Sequence, residues 1–209
     1  SLVTAYTISL DTPEKMGQQA KANAHRPLMK LKLTGEGDLE RVAAVRDNAP
    51  NTRLIVDANE GWSVDMVEPF SAKLKELGVE MIEQPLPADA DTPLSDVAHP
   101  IPLCADESAH ACADFHKLVG KYDMINIKLD KTGGLTEALK LRQMALDAGM
   151  QVMVGCMVGS SLAMAPAMLV AEGATVVDLD GPLLLAKDRE PGIAFEGSTM
   201  QPVDAALWG

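Results

Sequence analysis

The chain has 209 residues, 47% of them hydrophobic, and a formal net charge of −12. This is enough for one domain with a sizeable core, and the acidic charge argues against nucleic-acid binding, because phosphate contacts require clustered Lys and Arg. No apolar segment reaches the roughly 18 residues of a membrane span, so we predict no membrane association. Cys104, Cys112 and Cys156 lack metal-type spacing and predict free thiols in a reducing cytoplasm.

Short apolar segments alternate with longer amphipathic segments along the chain. The predicted strands are 3–10, 28–33, 53–57, 80–83, 102–105, 124–128, 151–155 and 175–180. The predicted helices are 13–24, 37–48, 63–77, 109–119, 135–148 and 160–171, and segment 89–99 has room for a turn or two. Thr12 and Ser63 are typical helix N-caps, and Gly78 and Gly149 stand where helices should end. This alternation predicts a (β/α) barrel rather than an open doubly wound sheet.

The alternation stops after the eighth predicted strand. Residues 181–209 contain three prolines and several glycines, and they give no convincing eighth helix. We therefore predict a catalytic barrel over residues 1–180. The C-terminal tail, residues 181–209, would pack on the barrel or on another domain.

Charged residues recur at the ends of the predicted strands. Lys32 closes the second strand, and the later members follow at intervals of 25, 26, 23 and 22 residues: Asp57, Glu83, Asp106 and Lys128. One βα unit takes roughly that many residues. Parallel strands point their carboxyl ends to the same face, so a barrel would collect these charges at one rim.

Asp57, Glu83 and Asp106 end three successive strands. Ligation by separated carboxylates suits a hard cation such as Mg²⁺, and no Cys or His pattern argues for zinc. Each acid could instead cap the helix that follows its strand. Three acids in consecutive units, with lysines at the same level, favour the metal site.

Lys30 and Lys32 alternate with apolar residues, so both face the same side of their strand. Two ammonium groups close together repel, which lowers the pKa of one and makes it a usable base. A solvated edge strand would give the same pattern. Lys128 favours the catalytic interpretation, because it lies four strands later, on the opposite wall of an eight-stranded barrel.

This arrangement suits removal of a proton α to a carboxylate. A cation at the three acids would stabilise the enediolate, one lysine would take the proton and the other would return it. Return on the opposite face inverts the α-carbon. The predicted reaction is therefore a racemisation or epimerisation.

Five segments, in this order and spacing, resemble the enolase superfamily, in its muconate-cycloisomerase-like branch: LMKLKLTG, LIVDANEGW, MIEQPLP, PLCADES and NIKLDKTGG. The resemblance covers essentially the whole chain and implies the family's catalytic (β/α)7β TIM-type barrel. It implies that Lys32 and Lys128 are the acid/base pair, that Lys30 assists Lys32, and that the three acids bind Mg²⁺. It also implies that Asn59 and Glu107 are outer partners, with Glu107 near Lys128.

The segment VVDLDGPLLL carries Asp178 and Asp180, which alternate with Leu179 and so should face the same side of the last strand. Two inward carboxylates indicate a cation to be held, although a capping or solvated acid pair is the alternative. In this position the pair resembles dipeptide epimerases, where it grips the α-ammonium of the substrate. The implied substrate is a dipeptide such as L-Ala-D/L-Glu, epimerised at its C-terminal residue.

Two other interpretations stay open. An o-succinylbenzoate synthase or a cycloisomerase of the same branch would act on substrates without an ammonium group. A barrel fragment with only a binding or structural role is also consistent, because the chain begins at the first barrel strand and lacks the family's N-terminal α+β capping domain. We expect such a domain to complete the site, and a homo-oligomer is open.

Overall fold

The computed structural model describes residues 1–209. Eight strands form one sheet in sequential order, and neighbouring strands are parallel within β2–β6 and within β7–β9. They are β2 (Tyr6–Ile8), β3 (Leu28–Lys32), β4 (Arg53–Asp57), β5 (Val79–Glu83), β6 (Leu103–Ala105), β7 (Met124–Ile127), β8 (Gln151–Gly155) and β9 (Val176–Asp178). A small antiparallel sheet joins β1 (Leu2–Val3), β10 (Phe195–Glu196) and β11 (Thr199–Met200). The eight principal strands match the predicted order.

Helices fill most of the connections between the strands. They are α1 (Pro13–Ala22), α2 (Asp38–Asn48), α3 (Val64–Glu76), α4 (Leu129–Thr132), α5 (Leu135–Asp147) and α6 (Ser161–Val170). Three short 3₁₀ helices complete the set, at Thr92–Asp96, Cys112–Lys117 and Gly181–Leu184. None of the helices has both the length and the hydropathy that crossing a membrane requires.

The chain divides into two compact units. The N-terminal unit comprises residues 6–108 and 118–123, and the C-terminal unit comprises residues 1–5, 109–117 and 124–209. In the N-terminal unit, Lys32 pairs with Asp57, Asp57 with Glu83, and Glu83 with Cys104 across the sheet. This register brings the charged ends of β3, β4 and β5 to the same level.

Local signals account for the helices of the N-terminal unit. The Thr12 hydroxyl accepts a hydrogen bond from the Lys15 backbone N–H at 3.4 Å, and Pro13 begins α1. Gly17 lets α1 approach α2 closely, since a Cβ there would lie 3.1 Å from the Ala44 carbonyl oxygen. Gly78, with φ of +71°, follows α3 in the left-handed conformation that suits a helix end.

The C-terminal unit explains why the first predicted strand, 3–10, is split. Leu179 donates its backbone N–H to the Thr4 hydroxyl at 2.8 Å, and Ala5 donates to the Val177 carbonyl at 2.8 Å. Val3 instead pairs with Thr199 in the small sheet. Residues 2–3 and 6–8 therefore form separate strands.

Two further predicted segments differ from the structure. Residues 109–119 do not form an α-helix, because only Cys112–Lys117 is helical and it is a 3₁₀ helix, in which Asp114 donates to the Ala111 carbonyl three residues back. The last strand ends at Asp178, two residues early. Asp180, with φ of −82° and ψ of 1°, already belongs to the turn that leads into Gly181–Leu184.

Candidate metal centre

Three buried carboxylates meet at the carboxyl ends of neighbouring strands in the N-terminal unit. Asp57 ends β4, Glu83 ends β5 and Asp106 follows β6 directly. One carboxylate oxygen from each lies within 4.8 Å of the others. The three acids that recur along the sequence therefore lie close together in the structure.

Two lysines of β3 reach the same carboxylates. Lys30 Nζ lies 3.1 Å from Asp57 Oδ2 and 2.7 Å from Glu83 Oε2, and its side chain is 2% exposed. Lys32 Nζ lies 2.7 Å from the same Asp57 oxygen, and its side chain is 34% exposed. Both lysines face the same side, and the Asp57 carboxylate between them offsets their mutual repulsion.

The surrounding charges shift the pKa values of two acids in opposite directions. Burial by itself would raise the pKa of Asp57, but attraction to the ammonium groups of Lys30 and Lys32 outweighs it and holds that pKa below its usual range. Burial first, and the neighbouring Asp106 carboxylate second, raise the pKa of Glu107. The charged form is thus stabilised at Asp57 and disfavoured at Glu107.

The loop after β4 adds a backbone donor to the cluster. The Asn59 N–H donates to Asp57 Oδ1 at 3.0 Å. Asn59 and Glu60 have φ values of +46° and +63°, in the left-handed region, which turns the chain sharply after the strand. Asn59 thus contacts Asp57 through its backbone.

A buried acid that the sequence analysis missed joins this loop to the one after β3. Asp38 accepts hydrogen bonds from Gly35 N–H at 2.7 Å and from the Trp62 indole at 2.8 Å, with Thr34 N–H and Arg41 as further donors. We call this arrangement the Asp38 clamp. Little in the sequence indicated these contacts, because an acid in the first turn of a helix such as α2 is common.

Two glycines let the same loops touch. A Cβ at Gly61 would lie 2.6 Å from the Thr34 carbonyl oxygen, and one at Gly35 would lie 2.8 Å from the Gly61 oxygen. Both obstacles are backbone atoms, which cannot move aside cheaply. The loops that follow Lys32 and Asp57 are therefore locked against each other.

The other predicted site residues lie in the C-terminal unit. Lys128 directly follows β7, at the start of α4, and is 7% exposed. Asp178 pairs with Gly155 at the end of β9, and both Asp178 and Asp180 are buried. Since Asp180 lies outside the strand, the alternation argument holds for Asp178 alone. The adjacent Cys156 forms no disulfide.

The acid cluster fits a metal ion on its own chemistry. It offers three carboxylates from three separate strand ends, all buried and close enough for one ion to join them. Oxygen-only donors suit a hard cation. Lys30 and Lys32 neutralise part of the charge of this cluster.

Comparison with known proteins places the chain in a family. Residues 15–190 match the model described as enolase C-terminal domain-like, and the chain belongs to this family. The predicted α/β fold class, a (β/α)7β TIM-type barrel, is confirmed. Membership of this family agrees with the position of the three acids at the carboxyl ends of neighbouring strands.

Two curated relatives have names that describe related reactions. The N-acetyl-D-glutamate racemase of a Pseudoalteromonas species is 48% identical over 99% of this chain and 66% of that protein. The L-Ala-D/L-Glu epimerase of Escherichia coli K12 is 44% identical over 93% of this chain and 61% of that protein. The chain thus spans slightly under two thirds of the length of these relatives.

Two solved structures are also similar to this chain. An enolase family member from Agrobacterium tumefaciens, described as homologous to dipeptide epimerases and holding sodium and L-Ala-L-Glu, is 53% identical with a TM-score of 0.97, over 100% of this chain and 64% of that one. A dipeptide epimerase from Cytophaga hutchinsonii with Mg and D-Ala-L-Val is 31% identical with a TM-score of 0.91, over 96% and 58%.

Proposed function

We propose that this chain is the catalytic barrel of a Mg²⁺-dependent dipeptide epimerase of the L-Ala-D/L-Glu type. The observation that carries the proposal is the acid cluster with Lys30 and Lys32 on a shared Asp57 oxygen. A cation site beside an accessible lysine is what proton removal next to a carboxylate requires. The names of the relatives support the substrate class.

The two lysines of β3 have different exposures, which supports different roles. Lys30 is enclosed and contacts both Asp57 and Glu83, so we assign it to holding these carboxylates and assisting Lys32. Lys32 is one-third exposed, so its amine can reach a substrate, and we assign it to proton transfer. Mg²⁺ held by Asp57, Glu83 and Asp106 would supply positive charge that favours the enediolate.

Lys128 is the proposed second acid/base, because it stands directly after β7, where the family resemblance expects the second lysine. A lysine amine takes the α-proton from one face of the substrate, and a lysine ammonium delivers a proton to the other face. One proton leaves and one is added, so the product is the epimer. Asn59 and Glu107 are proposed as outer partners of the acid cluster.

The buried pair Asp178 and Asp180 is proposed to hold the α-ammonium of the dipeptide. We propose that an N-terminal capping domain closes the site, which would exclude water and select the substrate side chain. The three cysteines form no disulfide, which supports the proposed location in a reducing cytoplasm.

A second candidate is an N-acetylglutamate racemase, favoured by the relative that is 48% identical. Both substrates are glutamate with an acylated nitrogen, and both need inversion at the same carbon. They differ in charge, because L-Ala-Glu carries an ammonium group and N-acetylglutamate does not. The role of Asp178 therefore separates the two candidates.

The test uses the full-length protein with Mg²⁺ and compares kcat/KM for L-Ala-L-Glu and for N-acetyl-L-glutamate. Asp178→Asn should lower kcat/KM for the dipeptide by roughly 30-fold or more, because a buried charge pair is broken. The acetylated substrate should change by less than about threefold. Asp147→Asn, an exposed change of the same charge on α5, is the matched control.

Three outcomes would count against the dipeptide proposal. Wild-type preference for N-acetylglutamate would favour the second candidate. Equal losses on both substrates would remove the ammonium role of Asp178. No inversion of either substrate would contradict both candidates.

A further inference from the structure

Gln84 stands directly after the cluster acid Glu83, and its side chain reaches the loop that carries Asp106. It is fully buried, and its φ of +33° lies in the left-handed region, which is uncommon for a residue other than glycine. Such strain persists only where surrounding contacts impose it. The contacts of the Gln84 amide identify that constraint.

The amide oxygen is bonded to the backbone of an acid of the cluster. Gln84 Oε1 accepts hydrogen bonds from the Asp106 N–H at 2.9 Å and from the Ser108 N–H at 3.1 Å. One side chain therefore sets the position of the Asp106 backbone relative to Glu83, its own neighbour. A shift of this amide would move two of the three acids relative to each other.

The contacts of the amide nitrogen fix the orientation of the Gln84 side-chain amide. Gln84 Nε2 lies 2.8 Å from the Leu86 carbonyl oxygen, 2.9 Å from the Ser108 hydroxyl and 2.9 Å from the Tyr122 hydroxyl. All three atoms can accept a hydrogen bond. A flipped amide would place its oxygen against a carbonyl oxygen and its nitrogen against two N–H donors.

Asp91 fixes the direction of both hydroxyl groups. Ser108 and Tyr122 donate to the same Asp91 oxygen at 2.7 and 2.9 Å, which leaves their lone pairs for the amide. The other Asp91 oxygen pairs with Lys121. Burial raises the pKa of Tyr122, so its hydroxyl keeps the proton that it donates.

We infer that Gln84 is a positioning residue of the metal centre, and that Asp91, Ser108 and Tyr122 lock its amide in the orientation that holds the Asp106 loop. The inference rests on the metal role proposed for the acid cluster but is independent of the substrate. Partners behind metal ligands typically change metal affinity by 10- to 100-fold when they are removed.

The test measures Mg²⁺ binding to the full-length protein by isothermal titration calorimetry, without substrate, and unfolding by denaturant in EDTA. Gln84→Met keeps the length and charge of the side chain but leaves the Asp106 and Ser108 N–H groups without their acceptor. We expect the Mg²⁺ dissociation constant to rise by roughly 10- to 100-fold. Ser71→Ala removes a buried hydroxyl of α3 that bonds only the Glu68 carbonyl, and it should leave that constant unchanged.

Tyr122→Phe is a milder variant, which keeps the inference testable if Gln84→Met does not fold. It removes one acceptor of the amide, and the dissociation constant should rise about threefold. The two effects should also be coupled, with Tyr122→Phe adding little in the Gln84→Met background. A general loss of stability would not give that coupling.

Unchanged Mg²⁺ affinity in Gln84→Met or in Tyr122→Phe would overturn the inference, as would equal losses in Ser71→Ala. A wild-type protein that binds no Mg²⁺ would overturn the metal centre and the inference together. Normal Mg²⁺ binding without epimerase activity would leave the positioning role standing and contradict the proposed function alone.

Discussion

The Asp38 clamp allows a quantitative prediction of stability. Asp38→Asn keeps the side chain shape but replaces one carboxylate oxygen by an NH₂ group. If that group replaces Oδ2, the Gly35 N–H and the Trp62 indole lose their acceptor. If it replaces Oδ1, the Thr34 N–H still has Oδ2 at 3.3 Å, and Arg41 keeps its bond to the Glu36 carbonyl but loses its ion pair with Asp38. The second orientation costs less, and at about 1–3 kcal/mol for one lost buried partner the loss should be about 1–3 kcal/mol. That is a measurable part of the roughly 5–15 kcal/mol that stabilises most domains.

Equilibrium unfolding in guanidinium chloride, followed by circular dichroism and tryptophan fluorescence, measures this loss. The matched control is Asp114→Asn, which affects a partly exposed acid that forms an ion pair with Lys117 three residues later, and its denaturation midpoint should stay near that of the wild type. The reasoning is refuted if Asp38→Asn unfolds at the wild-type denaturant concentration. That result would mean that the loops after β3 and β4 are held together without the buried carboxylate.

Three further changes test the same region. Gly61→Ala places a Cβ 2.6 Å from the Thr34 carbonyl oxygen and should cost about 1–3 kcal/mol in denaturant unfolding; an unchanged midpoint would mean that the loops separate easily. Lys32→Met should slow epimerisation by roughly 10²- to 10⁴-fold. Calorimetry should show that the variant still binds Mg²⁺, because Lys32 is not one of the three acids. Loss of both epimerisation and Mg²⁺ binding would mean that Lys32 has a structural role. The pKa of Asp57 is lowered from 3.8, so in metal-free protein its contribution to stability is present above that pH and lost as pH falls through the folded-state value. The stability gap between wild type and Asp57→Asn should therefore narrow in acid unfolding below about pH 4, and a gap independent of pH would contradict the ion pairing.

The strand ends were predictable because their signal is local. Short apolar segments directly before Asp57 and Glu83 indicate both the strand and the position of its charge, and the register then brings the two acids side by side. Lys30 and Lys32 followed from the period of two within one strand. The family resemblance rests on the same short segments.

The contacts between loops were not predictable from such patterns. The bond from Trp62 to Asp38 spans 24 residues, and the Gln84 amide meets Tyr122 across 38. Neither residue type signals its partner, so these contacts appear only once the strands are aligned. Gln84 lies inside the segment MIEQPLP, but it carries no charge, and only the charged residues recur with the βα period.

The helix predicted over residues 109–119 was wrong for a similar reason. Its apolar spacing fits a helix, but the Cys112 N–H is taken at 3.0 Å by the Glu137 carboxylate of α5. The Glu137 carboxylate thus satisfies the first N–H of the 3₁₀ helix, which begins only at Cys112. Tertiary contact overrides local preference here.

The central claim is that two lysines act on opposite faces of the same α-carbon. The most direct measurement is α-proton exchange of L-Ala-L-Glu and of L-Ala-D-Glu in D₂O with Mg²⁺, followed by NMR, for full-length wild type, Lys32→Met and Lys128→Met. The wild type should exchange and interconvert both epimers. Each variant should lose interconversion yet still exchange one epimer, and the two variants should differ in which epimer that is. Exchange of the same epimer by both variants, or no exchange in the wild type, would contradict the account.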